Sequence, residues 1–289
     1  MKRSTAWVLL VSVVMVTGSC TTYQAVGVGP AGLRAGEEAD DGVRVIQGSH
    51  FTAFVPERDV PGDRDRADIP GTDAPDSQTW PAGAEGLPVA GFIFYPGAYV
   101  DPAAYTPWLR KLAASGRTVA VVDVPFGLAL LGRDRAVPVM KAFPEIAGWV
   151  LGGHSLGGVG AAGLASRVVS DDSSGESDAD GMRLAGIAFF ASYPAGGVDL
   201  SAAPWPVLSL SASADLLATA EDIAEYRHLL PSTTRYRVIE GGNHAGFGSY
   251  GPQKGDGVST LAPGVQEATI VEEMMTLLAA ADAYLARGR

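Results

Sequence analysis

The strongest constraint on the fold of this chain is a serine that stands between two glycines where two apolar segments meet. Residues 153–157 spell Gly-His-Ser-Leu-Gly, a G-x-S-x-G pattern. The apolar run before it, residues 146–151, predicts a buried strand, and the small apolar residues 159–169 after it predict a tightly packed helix. In so sharp a turn the serine backbone is strained, and a side chain at Gly153 or Gly157 would collide with the neighbouring strand or helix. We therefore predict a strand, a turn with Ser155 at its apex, and a helix.

Strand and helix patterns alternate along the rest of the chain. Apolar runs predict strands at residues 89–95, 118–124, 146–151, 184–192 and 206–211. Residues 43–55, which alternate irregularly, predict an opening strand, and residues 235–239 a final one. Helical spacing predicts helices at residues 101–115, within 133–146, and at 159–169, 218–230 and 265–287. This alternation predicts an α/β fold with a mostly parallel central sheet and helices on both faces. The strand, serine turn and helix at its centre resemble the nucleophile elbow of an α/β-hydrolase.

The first twenty residues predict a secretory signal peptide. Lys2 and Arg3 give it a positive start, and the apolar run 6–16 is too short to span a bilayer comfortably. The stretch resembles a bacterial lipoprotein signal in which Cys20 is lipidated, although Thr17 stands where leucine is most usual. We expect an extracytoplasmic protein anchored to the cell membrane through Cys20. The alternatives are a cleaved signal with an incidental cysteine, which gives a secreted protein, and an uncleaved anchor.

Composition divides the remaining chain into segments. Residues 21–41 predict a flexible tether, and residues 42–289 predict the α/β-hydrolase domain. Within the domain, residues 171–183 predict an acidic, mobile insertion, whose aspartates match no calcium-loop spacing. Residues 58–86 are crowded with Asp, Pro, Gly and Arg and predict a long irregular connection, either a surface excursion or a flap over the site.

Charge and cysteine content exclude several classes of function. The chain has a net charge of −11 and no basic patch, so we expect no nucleic-acid partner. Its one cysteine leaves no partner for an internal disulfide.

A serine hydroxyl is a poor nucleophile unless a base takes its proton, and that base is usually a histidine oriented by a carboxylate. Of the four histidines, His244 stands in a glycine-rich loop after the last predicted strand, from where it can reach the elbow. The side chain of His154 is expected to point away from the serine. His228 falls within a predicted helix, and His50 precedes the sheet.

The resemblance implies an acid at the end of a strand that lies between the serine and the histidine in chain order. Asp215 fits, because it directly follows the predicted strand 206–211. Glu240 and Asp256 are weaker candidates. Glu240 is too close in sequence to His244 to reach the far side of its ring, and Asp256 has the pattern of a turn.

The oxyanion of an acyl-transfer reaction needs two preorganised backbone N–H groups. The resemblance implies that one belongs to Leu156, directly after the serine, and that the other follows the strand 89–95. Pro96 has no N–H, so the second donor is Gly97, Ala98 or Tyr99, and we favour Ala98. Tyr99 and Gly97 are also candidates for lining the pocket.

From residue 89 to about residue 257 the chain resembles the α/β-hydrolase superfamily, and more narrowly its compact dienelactone-hydrolase-like branch. The segments that carry the resemblance are Phe-Tyr-Pro-Gly-Ala, Val-Val-Asp-Val-Pro, Gly-Gly-His-Ser-Leu-Gly-Gly, Ser-Ala-Asp and Gly-Gly-Asn-His-Ala. Dienelactone hydrolases carry a cysteine at the elbow, whereas this chain carries Ser155, so the triad transfers and the substrate does not. The short connection between the strands 184–192 and 206–211 leaves no room for a large lid domain.

We therefore expect a serine hydrolase that cleaves a carboxylic ester through an acyl-enzyme, with Ser155, Asp215 and His244 as its triad. No metal or organic cofactor is expected, and the substrate is a small-molecule or surface-presented ester. An acyltransferase with the same triad is one alternative. A non-catalytic surface binding protein on a hydrolase scaffold is the other.

Overall fold

The computed structural model describes residues 22–24, 41–57, 89–174, 182–195 and 197–287, with residues 170–174 described by their backbone alone. The predicted signal peptide with Cys20 and the connection 58–86 lie outside the described residues. So do most of the predicted tether 21–41 and the centre of the predicted insertion 171–183.

Eight strands form one sheet in the described chain. They are β1 Val43–Gln47, β2 Phe51–Pro56, β3 Ala90–Tyr95, β4 Val119–Val122, β5 Gly148–His154, β6 Leu184–Phe190, β7 Val207–Ala212 and β8 Arg235–Ile239. Their order across the sheet is β1-β2-β4-β3-β5-β6-β7-β8. All pairs from β4 to β8 are parallel, whereas β2 is antiparallel to both β1 and β4. The predicted mostly parallel sheet is confirmed.

The predicted opening strand 43–55 is a hairpin of two strands. The chain reverses after Gly48, whose N–H donates to the carbonyl of Phe51 at 2.8 Å. Val43 then faces Pro56 across the pair. The irregular alternation of this stretch reflects the turn within it, because each strand has its own two-residue period.

Five α-helices within the described ranges connect and cover the strands. They are α1 Thr106–Ala114, α2 Ala136–Ala142, α3 Leu156–Ser174, α4 Ala220–Glu225 and α5 Val265–Arg287. The last has the predicted bounds. The predicted helix 218–230 is shorter, since α4 starts at a capping box between Thr219 and Asp222 and gives way to a 3-10 turn at Arg227–Leu229.

The core lies on both faces of the sheet, as predicted. One face packs against α1 and α5 through Trp108, Phe92 and Phe190, and the other packs against α2 and α3 through Ile93 and Leu151. Burying each large side chain of this kind contributes about 1.5–3 kcal/mol relative to leaving it in water. The two layers hold β5 in the middle of the sheet, and the carboxyl end of β5 leads into the G-x-S-x-G turn.

Among the described residues, no helix has the length and apolarity needed to cross a membrane.

Candidate active site

Ser155 stands at the sharp turn between β5 and α3. Its φ is +53°, in the left-handed region that non-glycine residues seldom adopt. Hydrogen bonds to its N–H and its carbonyl stabilise this strained backbone conformation. Ser155 N–H donates to the carbonyl of Phe190 at 2.9 Å, and the hydroxyl of Ser192 donates to the carbonyl of Ser155 at 2.7 Å. The turn therefore presents a half-buried serine in a fixed position at the end of the central strand.

The two glycines of the pattern permit this turn because no side chain fits at either position. A Cβ at Gly157 would lie 2.2 Å from the carbonyl oxygen of Tyr95, on the neighbouring strand β3. A Cβ at Gly153 would lie 2.3 Å from the carbonyl carbon of Gly157, in the first turn of α3. These are the collisions with strand and helix that the sequence predicted.

His244 and Asp215 form a buried hydrogen-bonded pair. Asp215 follows β7 and His244 follows β8, and His244 Nδ1 lies 2.8 Å from Asp215 Oδ2. The second carboxylate oxygen, Oδ1, accepts the N–H groups of Leu217 and Ala218, each at 2.8 Å. Both oxygens are thus occupied, and the carboxylate is held with one edge facing the imidazole ring.

The backbone of the His244 loop is fixed by two side chains. Asp256 accepts the N–H groups of His244 at 3.2 Å and Ala245 at 2.8 Å. The buried Gln266, on α5, donates to the carbonyl of Asn243 at 2.9 Å and accepts the N–H of the same residue at 3.2 Å. Asp256, weighed from the sequence as a second candidate acid, contacts the backbone of His244, and the carboxylate on the ring is that of Asp215.

Two of the three proposed oxyanion donors in the loop after β3 already have partners. Gly97 N–H donates to the hydroxyl of Tyr105 at 3.0 Å, and Tyr99 N–H donates to the carbonyl of Gly127 at 2.9 Å. The N–H of Ala98 makes no hydrogen bond within the described part of the chain. Ala98 and Tyr99 are half-exposed, whereas Gly97 is buried.

Leu156 is the first residue of α3, so its N–H has no partner inside the helix. The strands that precede Leu156 and Ala98 are neighbours, and Tyr95 of β3 is paired with Gly153 of β5. Leu156 and Ala98 each follow these paired residues by three positions. The two N–H groups therefore follow the carboxyl ends of adjacent strands, and that of Leu156 directly follows Ser155.

His154, whose side chain the sequence analysis expects to point away from the serine, packs against the candidate base His244. Its ring is buried, with its centroid 4.4 Å from that of His244, and its Nδ1 lies 2.9 Å from the Tyr105 hydroxyl. Burial holds the pKa of His154 well below its usual value, and His244 lowers it further, while contact with the His244 backbone acts in the opposite direction. His154 therefore stays neutral and packs between the base and the loop after β3.

The protonation states of Tyr105 and His154 follow from their hydrogen bonds. Burial raises the pKa of the Tyr105 hydroxyl, an effect that the hydrogen bond from Gly97 only partly offsets. Since the hydroxyl keeps its proton and already accepts from Gly97, we assign it as the donor to His154 Nδ1. The ring proton of His154 is then on Nε2, which has no hydrogen-bond partner among the described residues.

The remaining candidates lie away from this cluster. His228 is exposed and its Nδ1 lies 2.9 Å from the carbonyl of Glu225, and His50 is exposed in the β1–β2 hairpin. Glu240 is exposed. Within the described ranges, no group of three or more His, Cys, Asp or Glu side chains is placed to hold a metal ion.

Sequence reasoning missed the positioning residues Tyr105 and Gln266. Both are single polar groups in segments whose apolar spacing predicted core helices, so the sequence carried no signal for their contacts. For Gln266 the only sequence signal was the pair of glycines in the His244 loop, Gly242 and Gly246. A Cβ at Gly246 would lie 2.1 Å from Gln266 Oε1, and one at Gly242 would lie 2.7 Å from it.

Comparisons with known proteins match the chain to a family and to many solved structures, among them the structure of one esterase. A family model described as "Alpha/beta hydrolase family" matches residues 91–268, which is more than half of the chain. The structure is that of a thermophilic esterase, Est2, from the planctomycete Thermogutta terrifontis, with 14% sequence identity and a TM-score of 0.49. The match covers 87% of this chain and 95% of that one. No curated protein matches the chain.

Proposed function

This chain belongs to the alpha/beta hydrolase family, and we propose from that premise that it is a serine esterase, which cleaves a carboxylic ester through an acyl-enzyme on Ser155. The family supports hydrolase activity. The observation that supports the finer proposal is the buried 2.8 Å hydrogen bond between His244 and Asp215, together with the packing of His244 against His154 of the strained serine elbow.

In the proposed first step, Ser155 Oγ attacks the ester carbonyl and His244 Nε2 takes the hydroxyl proton. Asp215 holds the Nδ1–H of His244 and stabilises the imidazolium that forms. The N–H groups of Leu156 and Ala98 stabilise the negative oxygen of the tetrahedral intermediate. His244 then gives its proton to the departing alcohol, and the acyl group remains on Ser155.

In the second step, water takes the place of the alcohol. His244 accepts a proton from the water, whose oxygen attacks the acyl carbonyl, and the acid leaves as the proton returns to Ser155 Oγ. Every proton in this sequence moves between substrate, water and the side chains of Ser155 and His244. The proposal needs no metal or organic cofactor.

The narrower kinship and the location of the protein are part of the same proposal. The connection 191–206 between β6 and β7 is short, which supports the compact dienelactone-hydrolase-like branch and a site open to small or surface-presented esters. The residues before Cys20 support export and lipidation, with the domain outside the cytoplasm and attached to the membrane. Nucleic acid is not a proposed partner, because the net charge is −11.

The test is hydrolysis of p-nitrophenyl acetate and butyrate by residues 21–289, with Ser155→Ala and His244→Ala beside it. Both variants should lose about a thousandfold or more in kcat. Matched controls are Ser201→Ala and His228→Ala, which change an exposed serine and an exposed histidine and should keep the native rate. A fluorophosphonate probe should label the native protein and leave Ser155→Ala unlabelled.

Absence of turnover together with absence of labelling in the unmutated protein would overturn the esterase proposal. The binding-protein alternative would then take its place. Turnover that survives in Ser155→Ala would equally remove the serine from the mechanism.

A further inference from the structure

Residues 22–24 are bound to the domain beside the candidate site. Tyr23 N–H donates to the carbonyl of Tyr99 at 2.8 Å, and the Tyr23 carbonyl accepts the N–H of Asp101 at 2.9 Å. These bonds form a parallel bridge between Tyr23 and Val100. The Tyr23 ring packs 5.5 Å from that of Tyr250. This part of the predicted tether is therefore held on the domain.

The docked residue is adjacent to the proposed oxyanion donor. Tyr99, which accepts from Tyr23, directly follows Ala98, and its own φ of +58° is in the left-handed region. The docked Tyr23 thus lies next to the loop that carries the proposed oxyanion donor.

The chain between Cys20 and Tyr23 is too short to act as a tether. The two residues are three positions apart, so even a fully extended chain separates their Cα atoms by at most about 11 Å. A lipid attached to Cys20 would hold the membrane surface within that distance of Tyr23. Residues 25–40 cannot relax this limit, because they follow the docked residue.

Exposed apolar side chains lie in the connections at the carboxyl ends of the parallel strands. We define the apolar rim as Phe126, Leu131, Leu216 and Val258, of which Phe126 is 83% exposed and Val258 86% exposed. Phe126 and Leu131 lie in the connection that follows β4, Leu216 follows Asp215 after β7, and Val258 follows the His244 loop. All four therefore lie in connections on the side of the sheet where the parallel strands end.

The first of these residues is held in an unfavourable backbone conformation. Phe126 has a φ of +55°, and the following residue, Gly127, accepts the N–H of Tyr99. A bulky residue in the left-handed region persists only where its surroundings impose it. The backbone therefore fixes the exposed Phe126 ring next to the loop that contains Tyr99.

We propose that the entrance to the site faces the bilayer that carries the Cys20 lipid, with the apolar rim in contact with that bilayer, and that the substrate is an ester presented in the membrane. The inference rests on the proposed esterase and on the proposed lipid anchor. Charge does not supply this orientation, since a chain of net charge −11 gains no attraction from anionic headgroups. The docked Tyr23 and the rim supply it.

The orientation is tested without catalysis. When Cys20 carries the lipid, Phe126→Cys gives the chain one free thiol, which is labelled with a fluorophore. The matched control is Glu145→Cys, at an exposed position before the amino end of β5. The full lipidated chains are placed in phosphatidylcholine vesicles that contain a lipid-borne quencher. The label at position 126 should be quenched several-fold more than the label at position 145, and equal quenching would overturn the proposal.

A second copy of the chain is the other occupant to distinguish. If it covered the rim, the label at position 126 would be shielded from aqueous iodide before any vesicle is added, and shielding of this kind would also overturn the proposal. A chain that stays out of the membrane fraction would remove the anchor on which the proposal depends.

The substrate class is tested with a spacer. About 20 Gly and Ser residues, which span roughly 25 Å, are inserted between Thr21 and Thr22, or after Gly32 as the control of equal composition. The first insertion should lower hydrolysis of a long-chain ester in the vesicles by about tenfold, because it dilutes the site at the surface, and should leave p-nitrophenyl acetate hydrolysis unchanged. The second should change neither rate.

Equal vesicle rates for the two insertions would overturn the membrane-facing proposal. Failure of the esterase proposal is distinct from this outcome, since the native chain would then hydrolyse neither substrate.

Discussion

Asp215 orients His244 through one carboxylate oxygen while the backbone holds the other. The Oδ2 atom lies 2.8 Å from His244 Nδ1, and Oδ1 accepts two N–H groups from the chain that follows Asp215. The carboxylate cannot turn without breaking those two bonds. In the proposed mechanism it accepts the Nδ1 proton of His244, so that the Nε2 lone pair can take the proton of Ser155.

Asp215→Asn should lower kcat for p-nitrophenyl acetate by about 10³–10⁴-fold with little change in KM. The amide oxygen keeps the two backbone donors, so the amide NH₂ faces His244 Nδ1 and drives the ring proton to Nε2. The lone pair is then on Nδ1, and Nε2 cannot take the serine proton. Steady-state kinetics measure the effect, with Glu240→Gln, at an exposed acid, as the control. A loss below tenfold would assign the orienting role to another group.

Asp256→Ala should lower kcat by about tenfold and stability by about 1–3 kcal/mol, since it leaves the N–H groups of His244 and Ala245 without their acceptor. Asp256→Asn retains one acceptor oxygen and should recover part of both losses. Urea unfolding and the pH dependence of kcat measure them. Because Asp256 only positions the loop, Asp256→Ala should leave the pH at which kcat is half-maximal unchanged. A loss of kcat as large as that of Asp215→Asn would instead make Asp256 the orienting acid.

Ala98→Pro should lower kcat by about 10²–10³-fold, because proline removes the one N–H in this loop that the fold leaves free. Ala98→Gly keeps the N–H and should stay within about tenfold of the native rate. Fluorophosphonate labelling combined with a thermal unfolding curve separates lost oxyanion stabilisation from lost folding. A native rate in Ala98→Pro would place the second donor elsewhere.

Much of the fold follows from the sequence because parallel strands buried on both faces are continuous apolar runs. The strands β3 to β6 carry such runs, and α5 has the helical spacing and the bounds that its sequence predicts. The hairpin of β1 and β2 was harder to predict, because one turn inside an irregular alternation leaves little periodic signal. The helix α4 ends at Glu225, and a 3-10 turn at Arg227–Leu229 follows it. The helical spacing predicted for residues 218–230 does not distinguish the two.

The candidate site also combines residues that the sequence could predict with contacts that it could not. Residues whose chemistry requires a certain type at a certain place, Ser155, Asp215 and His244, could be named from the sequence, and the structure brings the last two into contact. The packing of His154 against His244 was not predicted, because the contacts of a side chain at a strained turn depend on which distant segments fill the space beside it. The docking of Tyr23 beside Tyr99 joins two distant segments and has no local signature.

His154 gives the folded protein a pH dependence of stability with a defined sign. Its pKa is lowered in the folded state, chiefly by burial, relative to about 6.5 in the unfolded chain. The unfolded chain therefore binds a proton that the folded chain excludes. The contribution of His154 to the free energy of unfolding is complete above pH 6.5 or so and falls below it by up to about 1.4 kcal/mol per pH unit.

His154→Gln should flatten this dependence. The glutamine amide can still accept the hydroxyl hydrogen of Tyr105, so the variant should lose only about 1–2 kcal/mol at pH 8, and its stability should fall less steeply between pH 6.5 and pH 5. Urea unfolding across that range measures the slope, and His228→Gln, at the exposed histidine, should keep the native slope. Equal slopes in the native chain and His154→Gln would mean that the folded protein accommodates a proton on His154, and the assignment of a neutral ring packed against the base would have to be abandoned.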